Sequence, residues 1–334
     1  MVISDNTNAD MPVCLNTEQK QAKKAKQLAQ FQSGVPAKRA QGPKIQGCFS
    51  RTMLVTLQDS KEVVIQSRPE PLDIEPFKIA RQALGQVVPD IELLKDEELE
   101  REHIWTYWMN RIPGKIWFDG IRGGSPKVII TINKSLGRIL SRGYVEGNSA
   151  NVVDNTLRPH LEMLISTQNS EIQPFREVAQ EFLGKLDQLK RLPLFISHFD
   201  LNQVNILIDE NYHVSGIVDW ELSSLFPFGM GLSRIHTLAG EFSERKFYMP
   251  DEFEEAERGF WEEIFNGVPA DIREVLNANL EAVQTSVLLG TLLDTFELGD
   301  GKLGLCNPAM VAALPKFLSY RIPFLRGSDP PYAK

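Results

Sequence analysis

The first 110 residues combine short apolar segments with one helical pattern. Two segments rich in β-branched and apolar residues, 48–57 and 62–67, flank a polar turn and predict a β-hairpin. Segments of the same kind at 91–94 and 104–110 predict two more strands. Apolar residues three to four positions apart predict a helix over 72–84. This part of the chain therefore predicts a small sheet with one helix.

A polar segment precedes this sheet. Residues 1–40 are rich in Lys, Gln and Ala. Their pattern predicts a helix from about Thr17 to Gln32, which ends at the helix-terminating pair Ser33-Gly34. We expect this segment to be a polar helical extension of the fold.

From residue 112 onward the pattern is mostly helical. The helix-breaking segment 111–114 marks the boundary. Apolar residues at helical spacing occur over 128–140, over 175–189 and after residue 250. Short apolar runs separated by turn residues lie between these helical segments, at 194–197, 204–209 and 214–219. The chain thus predicts an α+β fold with an N-terminal extension (1–40), a small antiparallel-sheet lobe (41–111) and a mostly helical lobe (112–334).

The composition limits the classes of partner. The formal net charge is -8, which argues against a broad nucleic-acid interface, because such a surface needs an excess of Lys and Arg. The three cysteines, Cys14, Cys48 and Cys306, are too far apart for a disulfide framework or a paired zinc motif. No apolar stretch approaches the roughly 20 residues that span a bilayer. We expect a soluble cytoplasmic protein without nucleic-acid or membrane partners; the composition indicates no oligomeric state.

One polar motif lies among the short apolar runs. His198, Asp200 and Asn205 have the spacing H-x-D-L-x-x-x-N, and Asp219 ends a later apolar run. This pattern is typical of phosphotransfer, which needs a carboxylate to orient and deprotonate a hydroxyl, and oxygen ligands for Mg²⁺. Asp200 suits the first role, and Asn205 with Asp219 suits the second. We expect His198 to hold the loop through hydrogen bonds.

Other interpretations of these residues are less favoured. A histidine next to an aspartate is often only a structural hydrogen bond, but here four polar positions occur together where apolar segments end. A zinc site made of His198, Asp200 and His213 needs closely convergent ligands, and His213 lies in a predicted turn. Asn202 and Glu221, which belong to the same two motifs, are candidate contacts to an acceptor substrate.

With these motifs the chain resembles the aminoglycoside phosphotransferase and choline kinase-like branch of the protein-kinase-like superfamily. Members of that branch have the loop sequence His-Gly-Asp-Leu-x-x-x-Asn and the metal motif Val-Asp-Trp-Glu or similar. Residues 198–205 and 218–221 resemble these two motifs. Residues 225–229 resemble the next segment, especially in uncharacterised fungal members. Residues 108–114 resemble the family's hinge, and 47–51 its phosphate-covering turn.

The resemblance covers about residues 45–325 and implies a two-lobed kinase-like fold that binds ATP and Mg²⁺. ATP is expected in a cleft near residues 109–111, facing the motif residues of the second lobe. In the first lobe, the implied contacts are the phosphate-covering turn, a strand cation with its helix carboxylate, and the hinge: Gly47, Ser50, Gln66, Arg68, Glu75, Met109, Asn110 and Arg111.

Three departures from the family pattern affect this interpretation. Phe199 replaces the usual glycine, where it either packs the loop or narrows the acceptor pocket. The phosphate-covering turn has one glycine, Gly47, so Ser50 and backbone N–H groups would have to hold the phosphates. Gln66 stands where the family has a cation, and Arg68, on the same face of the strand two residues later, is the alternative source of that charge.

The expected function is ATP- and Mg²⁺-dependent phosphoryl transfer to a hydroxyl of a small molecule. Two alternatives stay open: a pseudokinase or binding protein without turnover, and an ATP-independent enzyme of natural-product biosynthesis on the same fold. The acidic residues within 251–257 either attract a cationic substrate or form a solvated helix face. Glu75 is likewise either the carboxylate that orients the phosphate-binding cation or a surface acid.

Overall fold

A computed structural model of the protein describes residues 11–47, 50–243, 246–296, 298–299, 302–304 and 308–326. The described residues form two compact units. One contains the residues up to 81 together with 86–113, and the other contains 82–85 together with the residues from 114 onward. Cys48 and Phe49 of the predicted first strand, and Cys306, lie outside the described residues.

A five-stranded antiparallel sheet is the framework of the first unit. Its strand order is β1-β2-β3-β5-β4, and β2 with β3 forms the predicted hairpin, in which Met53 lies opposite Ile65. The strands are β1 (Ala37–Gln41), β2 (Arg51–Leu57), β3 (Glu62–Arg68), β4 (Ile91–Leu94) and β5 (Trp105–Asn110). The first helices of the chain are α1 (Glu18–Ser33), α2 (Glu75–Leu84) and α3 (Glu97–Arg101).

Helix α1 packs against this sheet. Thr17 accepts a hydrogen bond from the backbone N–H of Lys20 at its start, and Gly34, with φ of 70°, ends it in the left-handed conformation that glycine adopts readily. Leu28 and Ala29 on its buried face join the core cluster formed by the sheet. The described part of the segment 1–40, which the sequence pattern presented as a polar extension, thus supplies a helix and a strand to the first unit.

Two three-stranded antiparallel sheets, with orders β10-β9-β6 and β11-β8-β7, lie among the helices of the second unit. Their strands are β6 (Lys115–Ile116), β7 (Tyr144–Val145), β8 (Leu194–His198), β9 (Ile206–Ile208), β10 (Val214–Ile217) and β11 (Ser223–Pro227). Two short strand pairs follow, β12 (Glu241–Ser243) with β13 (Lys246–Tyr248), and β14 (Leu298–Gly299) with β15 (Lys302–Leu303).

Most of the helices in the described ranges also belong to the second unit. They are α4 (Trp117–Gly120), α5 (Val128–Leu140), α6 (Ser149–Val152), α7 (Arg158–Ser166), α8 (Arg176–Lys185), α9 (Ile235–Ala239), α10 (Phe253–Gly267), α11 (Ala270–Ala278), α12 (Leu280–Thr295) and α13 (Pro308–Phe317). The apolar stripe over 128–140 is α5, as predicted. An antiparallel sheet in one unit and a mainly helical second unit confirm the predicted α+β class.

A 3₁₀ turn, Met230–Leu232, lies between α12 and β8. A Cβ atom on Gly290 of α12 would lie 2.3 Å from the carbonyl oxygen of Met230, and one on Gly231 would lie 2.6 Å from the Cβ of Ser197 in β8. Both distances are far inside van der Waals contact, so these two positions need glycine. The turn is therefore held close to the strand that ends at His198.

A buried ion pair closes the C-terminal end of the second unit. Glu257 of α10 has a fully buried side chain, and both of its carboxylate oxygens accept hydrogen bonds from the guanidinium of Arg326, at 2.6 and 2.5 Å. Burial, and then the nearby Glu257 carboxylate, raises the pKa of the Tyr320 phenol well above its ordinary value. Within the acidic segment 251–257, Glu257 is thus part of the core, whereas Asp251 and Glu254 are exposed.

Among the described helices, none has the length and apolar character needed to cross a membrane.

Candidate active site

The loop of residues 199–205, between β8 and β9, is organised around Asp200. The side-chain amide of Asn202 donates to the Asp200 backbone oxygen and to its Oδ1, both at 3.0 Å. The amide of Asn205 donates to the same backbone oxygen and to Oδ2, both at 2.9 Å. Both carboxylate oxygens are therefore fixed by neutral donors, while the Asp200 side chain stays 36% exposed and accessible to a small molecule.

The pairing of β9 with β10 brings Asp219 to the same end of the hairpin as Asn205. Ile217 lies opposite Ile206, and the backbone N–H of Val218 donates to the Asn205 carbonyl at 2.9 Å. Asp219 follows with φ of 65°, a left-handed conformation that is uncommon for a residue with a side chain. Such a conformation costs about 1–3 kcal/mol and persists only where the surrounding structure requires it.

His198 links β8 to the segment that carries Asp219. Its Nε2 donates to the carbonyl oxygen of Val218 at 2.9 Å, and its ring packs edge-on against Trp220 at 4.7 Å between centroids. Burial lowers the pKa of the His198 imidazole. A neutral ring that donates from Nε2 suits a structural link between the two segments. The accessible ionisable group of this loop is the Asp200 carboxylate.

Stability should decrease in mild acid because of buried histidines. Burial lowers the pKa of His160, whose Nε2 lies 2.9 Å from the Phe296 carbonyl, as it does that of His198. The unfolded chain then binds more protons than the native protein below the ordinary histidine pKa of about 6.5. The protein has its full stability above that pH. At lower pH the free energy of unfolding should decrease, by up to about 1.4 kcal/mol per pH unit for each histidine.

Urea unfolding at pH 7.5 and 5.5 measures this dependence. His160→Gln should make it shallower, whereas the control His103→Asn, at an exposed position with φ of 56° that asparagine tolerates, should not. An unchanged pH dependence in His160→Gln would contradict the assignment.

Arg234 is a further charged residue at this site, which the sequence pattern did not single out. Its Nη1 lies 3.7 Å from Oδ1 of Asp200. Its Nε and Nη2 donate to the two carboxylate oxygens of Asp294, at 2.9 and 2.8 Å. The signal in the sequence that could have indicated this pair is Asp294, an ionisable residue near the end of the apolar helix α12.

In the first unit, the structure joins two of the predicted nucleotide contacts. The side chain of Gln66 donates to Oγ of Ser50 at 3.1 Å, and Arg68, two residues later, is buried. Glu75 is exposed and pairs with Lys78 of its own helix at 2.6 Å. This pairing favours the surface-acid alternative for Glu75. Gly47 is exposed.

The predicted hinge residues lie at the end of β5 or just after it. Met109 is buried and lies opposite Val64. The side-chain oxygen of Asn110 accepts a hydrogen bond from the backbone N–H of Asp90 at 2.6 Å, and Arg111 donates to the Ile112 carbonyl.

Phe199 packs against β11. Its ring meets that of Phe226 edge-on at 5.0 Å between centroids, and both side chains are partly buried. Of the two alternatives for this residue, the contact supports packing of the loop. Glu221, the other candidate acceptor contact, lies partly buried in the turn before β11.

The zinc alternative is wrong for the described residues. His213 is 54% exposed and lies beside Asp209, whereas His198 is buried against Val218. No group of three or more His, Cys, Asp or Glu in the described ranges is placed to hold a metal ion.

Comparison with known proteins gives a family and a fold. Residues 45–245 match the model of the phosphotransferase enzyme family, APH. No curated protein matches the sequence. An ethanolamine kinase from Plasmodium vivax is similar in structure, with a TM-score of 0.51 and 14% identity over 83% of this chain and 82% of that one.

Two further solved structures are more distant. A macrolide 2'-phosphotransferase from Brachybacterium faecium has a TM-score of 0.48 and 14% identity over 90% of this chain and 98% of that one. An aminoglycoside phosphotransferase, APH(4)-Ia, in a complex with AMP-PNP and hygromycin B, has a TM-score of 0.49 and 10% identity over 82% and 98%. The family match and the ethanolamine kinase structure confirm the predicted kinase-like fold; the likeness to fungal members stays a prediction.

Proposed function

Since the chain belongs to the APH phosphotransferase enzyme family, we propose that it transfers the γ-phosphoryl group of ATP to a hydroxyl of a small molecule in an Mg²⁺-dependent reaction. The observation that carries the proposal is the Asp200 carboxylate. Its two oxygens are held by the amides of Asn202 and Asn205, and Asp219 lies at the same end of the β9–β10 hairpin.

Asp200 serves as the base. Phosphoryl transfer depends mainly on positioning and on stabilisation of charge, because the transferred group passes through a loose transition state. A carboxylate fixed at both oxygens and open to solvent on one side can accept a hydrogen bond from the acceptor hydroxyl and then take its proton.

The residues present fit a magnesium ion. The Nδ2 group of Asn205 is held by Asp200, so its Oδ1 is the side-chain atom that would bind a cation, and the Asp219 carboxylate would be the second ligand. Two oxygen ligands from the protein suit Mg²⁺, which keeps several waters and takes the remainder from substrate phosphates. When bound, the ion supplies positive charge to the phosphate oxygens.

Arg68 is the proposed cation for the ATP phosphates. Gln66, at the position where the family has a cation, is hydrogen-bonded to Ser50, whereas Arg68 offers a guanidinium group two residues further on the same strand. The acceptor is a small alcohol, the class to which ethanolamine belongs in the P. vivax relative.

Thermal unfolding with ATP, Mg²⁺, both or neither tests the proposal. Ligand at about 100 times its dissociation constant should stabilise the native state by about 2.7 kcal/mol. The rise should require ATP and Mg²⁺ together. Asp219→Ala should abolish it, and the control Asp251→Ala, which removes an exposed carboxylate of the second unit, should leave it intact.

Turnover separates the proposal from its alternatives. ADP formation from MgATP should appear with one member of a panel of ethanolamine, choline, an aminoglycoside and a macrolide, or slowly with water as the acceptor. Binding of MgATP without any ADP formation would favour the pseudokinase, and no stabilisation by any nucleotide would favour the ATP-independent enzyme.

A further inference from the structure

We propose that Arg234, held by Asp294, is a positioning residue that fixes the Asp200 carboxylate for phosphoryl transfer. The inference rests on the proposed function, because it concerns the base of that same site. It adds two residues that lie outside both sequence motifs and come from two other elements of the second unit, the turn before α9 and the end of α12.

The guanidinium of Arg234 has a fixed orientation. Asp294 binds it through two parallel hydrogen bonds, Nε to Oδ2 at 2.9 Å and Nη2 to Oδ1 at 2.8 Å. The side chains are 23% and 6% exposed, so the pair is largely removed from solvent. Because the guanidinium is planar and rigid, fixing two of its nitrogens also fixes the direction of the third.

The third nitrogen, Nη1, lies beside the base. It is 3.7 Å from Oδ1 of Asp200, which is longer than a hydrogen bond but within the range of a direct ion pair. In the part of the chain that the structure describes, the Arg234 guanidinium lies within ion-pair distance of the Asp200 carboxylate. Asp200 and Asp294 therefore share one arginine, and Asp294 determines where its charge lies.

The elements around this arrangement pack closely at two glycines. Gly290 lies one helical turn before Asp294 on α12, and its contact with the Met230 carbonyl brings the helix against the turn that leads to Arg234. On the other side of that turn, Gly231 contacts Ser197, three residues before Asp200. Close packing at these two glycines therefore holds the elements that carry Asp294, Arg234 and Asp200 next to one another.

This arrangement suits a base that acts next to a triphosphate. A carboxylate that approaches the negatively charged γ-phosphoryl group experiences repulsion, and a fixed cation at its Oδ1 offsets it. The same cation restrains rotation of the carboxylate, which keeps one oxygen directed toward the acceptor hydroxyl. Displacement of a reacting group by about 1 Å can cost on the order of 100-fold in rate.

Three variants test the inference: Arg234→Gln, Asp294→Asn and the double variant that carries both changes. Each should lower kcat for ADP formation from MgATP by about 10- to 100-fold, while KM for ATP and the dissociation constant of MgATP stay within about twofold. Arg234→Gln leaves the Asp294 charge buried and should lower Tm. The double variant pairs two neutral amides and should recover Tm without recovering kcat.

A control and three outcomes make the test decisive. Arg138→Gln removes an arginine that binds Glu263 in the same two-bond manner on the exposed face of α5 and α10, so it should leave kcat unchanged. Recovery of kcat together with Tm in the double variant, or full activity in Arg234→Gln, would overturn the positioning role and leave the proposed function intact. A wild-type protein without ADP formation from MgATP, with water or with any acceptor of the panel, would overturn the proposed function and this inference with it.

Discussion

Asp200→Asn is expected to lower the rate of phosphoryl transfer by about 10²- to 10⁴-fold, the usual contribution of a positioned base. The variant keeps the size of the side chain and removes its capacity to take a proton. Because Asn202 and Asn205 both donate to the Asp200 carboxylate, one of these donors would face the new amide NH₂ group. We therefore expect a small loss of stability as well, on the order of 1 kcal/mol.

The measurement is kcat for ADP formation, together with MgATP binding and Tm. Asp209→Asn is the matched control, because the Asp209 carboxylate also accepts hydrogen bonds within a turn, here from the backbone N–H groups of Asn211 and His213, but lies at the opposite end of the β9–β10 hairpin. It should retain full turnover. An Asp200→Asn protein with wild-type turnover would remove Asp200 from the role of base.

Arg326→Gln is expected to destabilise the second unit by about 3–5 kcal/mol, because it leaves the fully buried carboxylate of Glu257 without its cation. The loss is large because a buried charge cannot recover its hydration without local unfolding of the segment that covers it. Chemical denaturation of the variant and of the wild-type protein measures the difference.

A solvent-exposed ion pair of the same region is the control. Arg321 lies 3.5 Å from Glu281, with side chains 48% and 70% exposed, so Arg321→Gln should change the free energy of unfolding by less than about 1 kcal/mol. Equal effects of the two substitutions would show that burial does not set the strength of the Glu257–Arg326 pair. Replacing both Glu257 and Arg326 with apolar residues should recover part of the loss.

These two expectations differ in how much the sequence could predict. Asp200 was recognisable because its partners are local: Asn202 and Asn205 lie two and five residues away, and the spacing of the motif encodes their hydrogen bonds. Glu257 carries no such signal. It lies among exposed acids at the start of α10, and its burial depends on Arg326, 69 residues further along the chain.

The same distinction applies to the nucleotide contacts of the first unit. Strand alternation places Gln66 and Arg68 on one face of β3, which the sequence pattern predicts. The hydrogen bond from Gln66 to Ser50 and the pairing of Glu75 with Lys78 depend on which side chains meet after the hairpin and α2 have formed. The motif positions were therefore predictable, whereas the partners of Gln66 and Glu75 were not.

By itself, the sequence determined the elements with a local period or a local end signal: the β2–β3 hairpin, α1 between Thr17 and Gly34, α5, and the spacing of Asp200, Asn205 and Asp219. Only the tertiary structure decided the pairs that join distant elements. Arg234 and Asp294 are 60 residues apart, and their contact requires α12 to lie against the 230–232 turn, which Gly290 permits. The physical reason is that periodicity records which face of an element is buried, whereas the partner of a buried charge is chosen by packing.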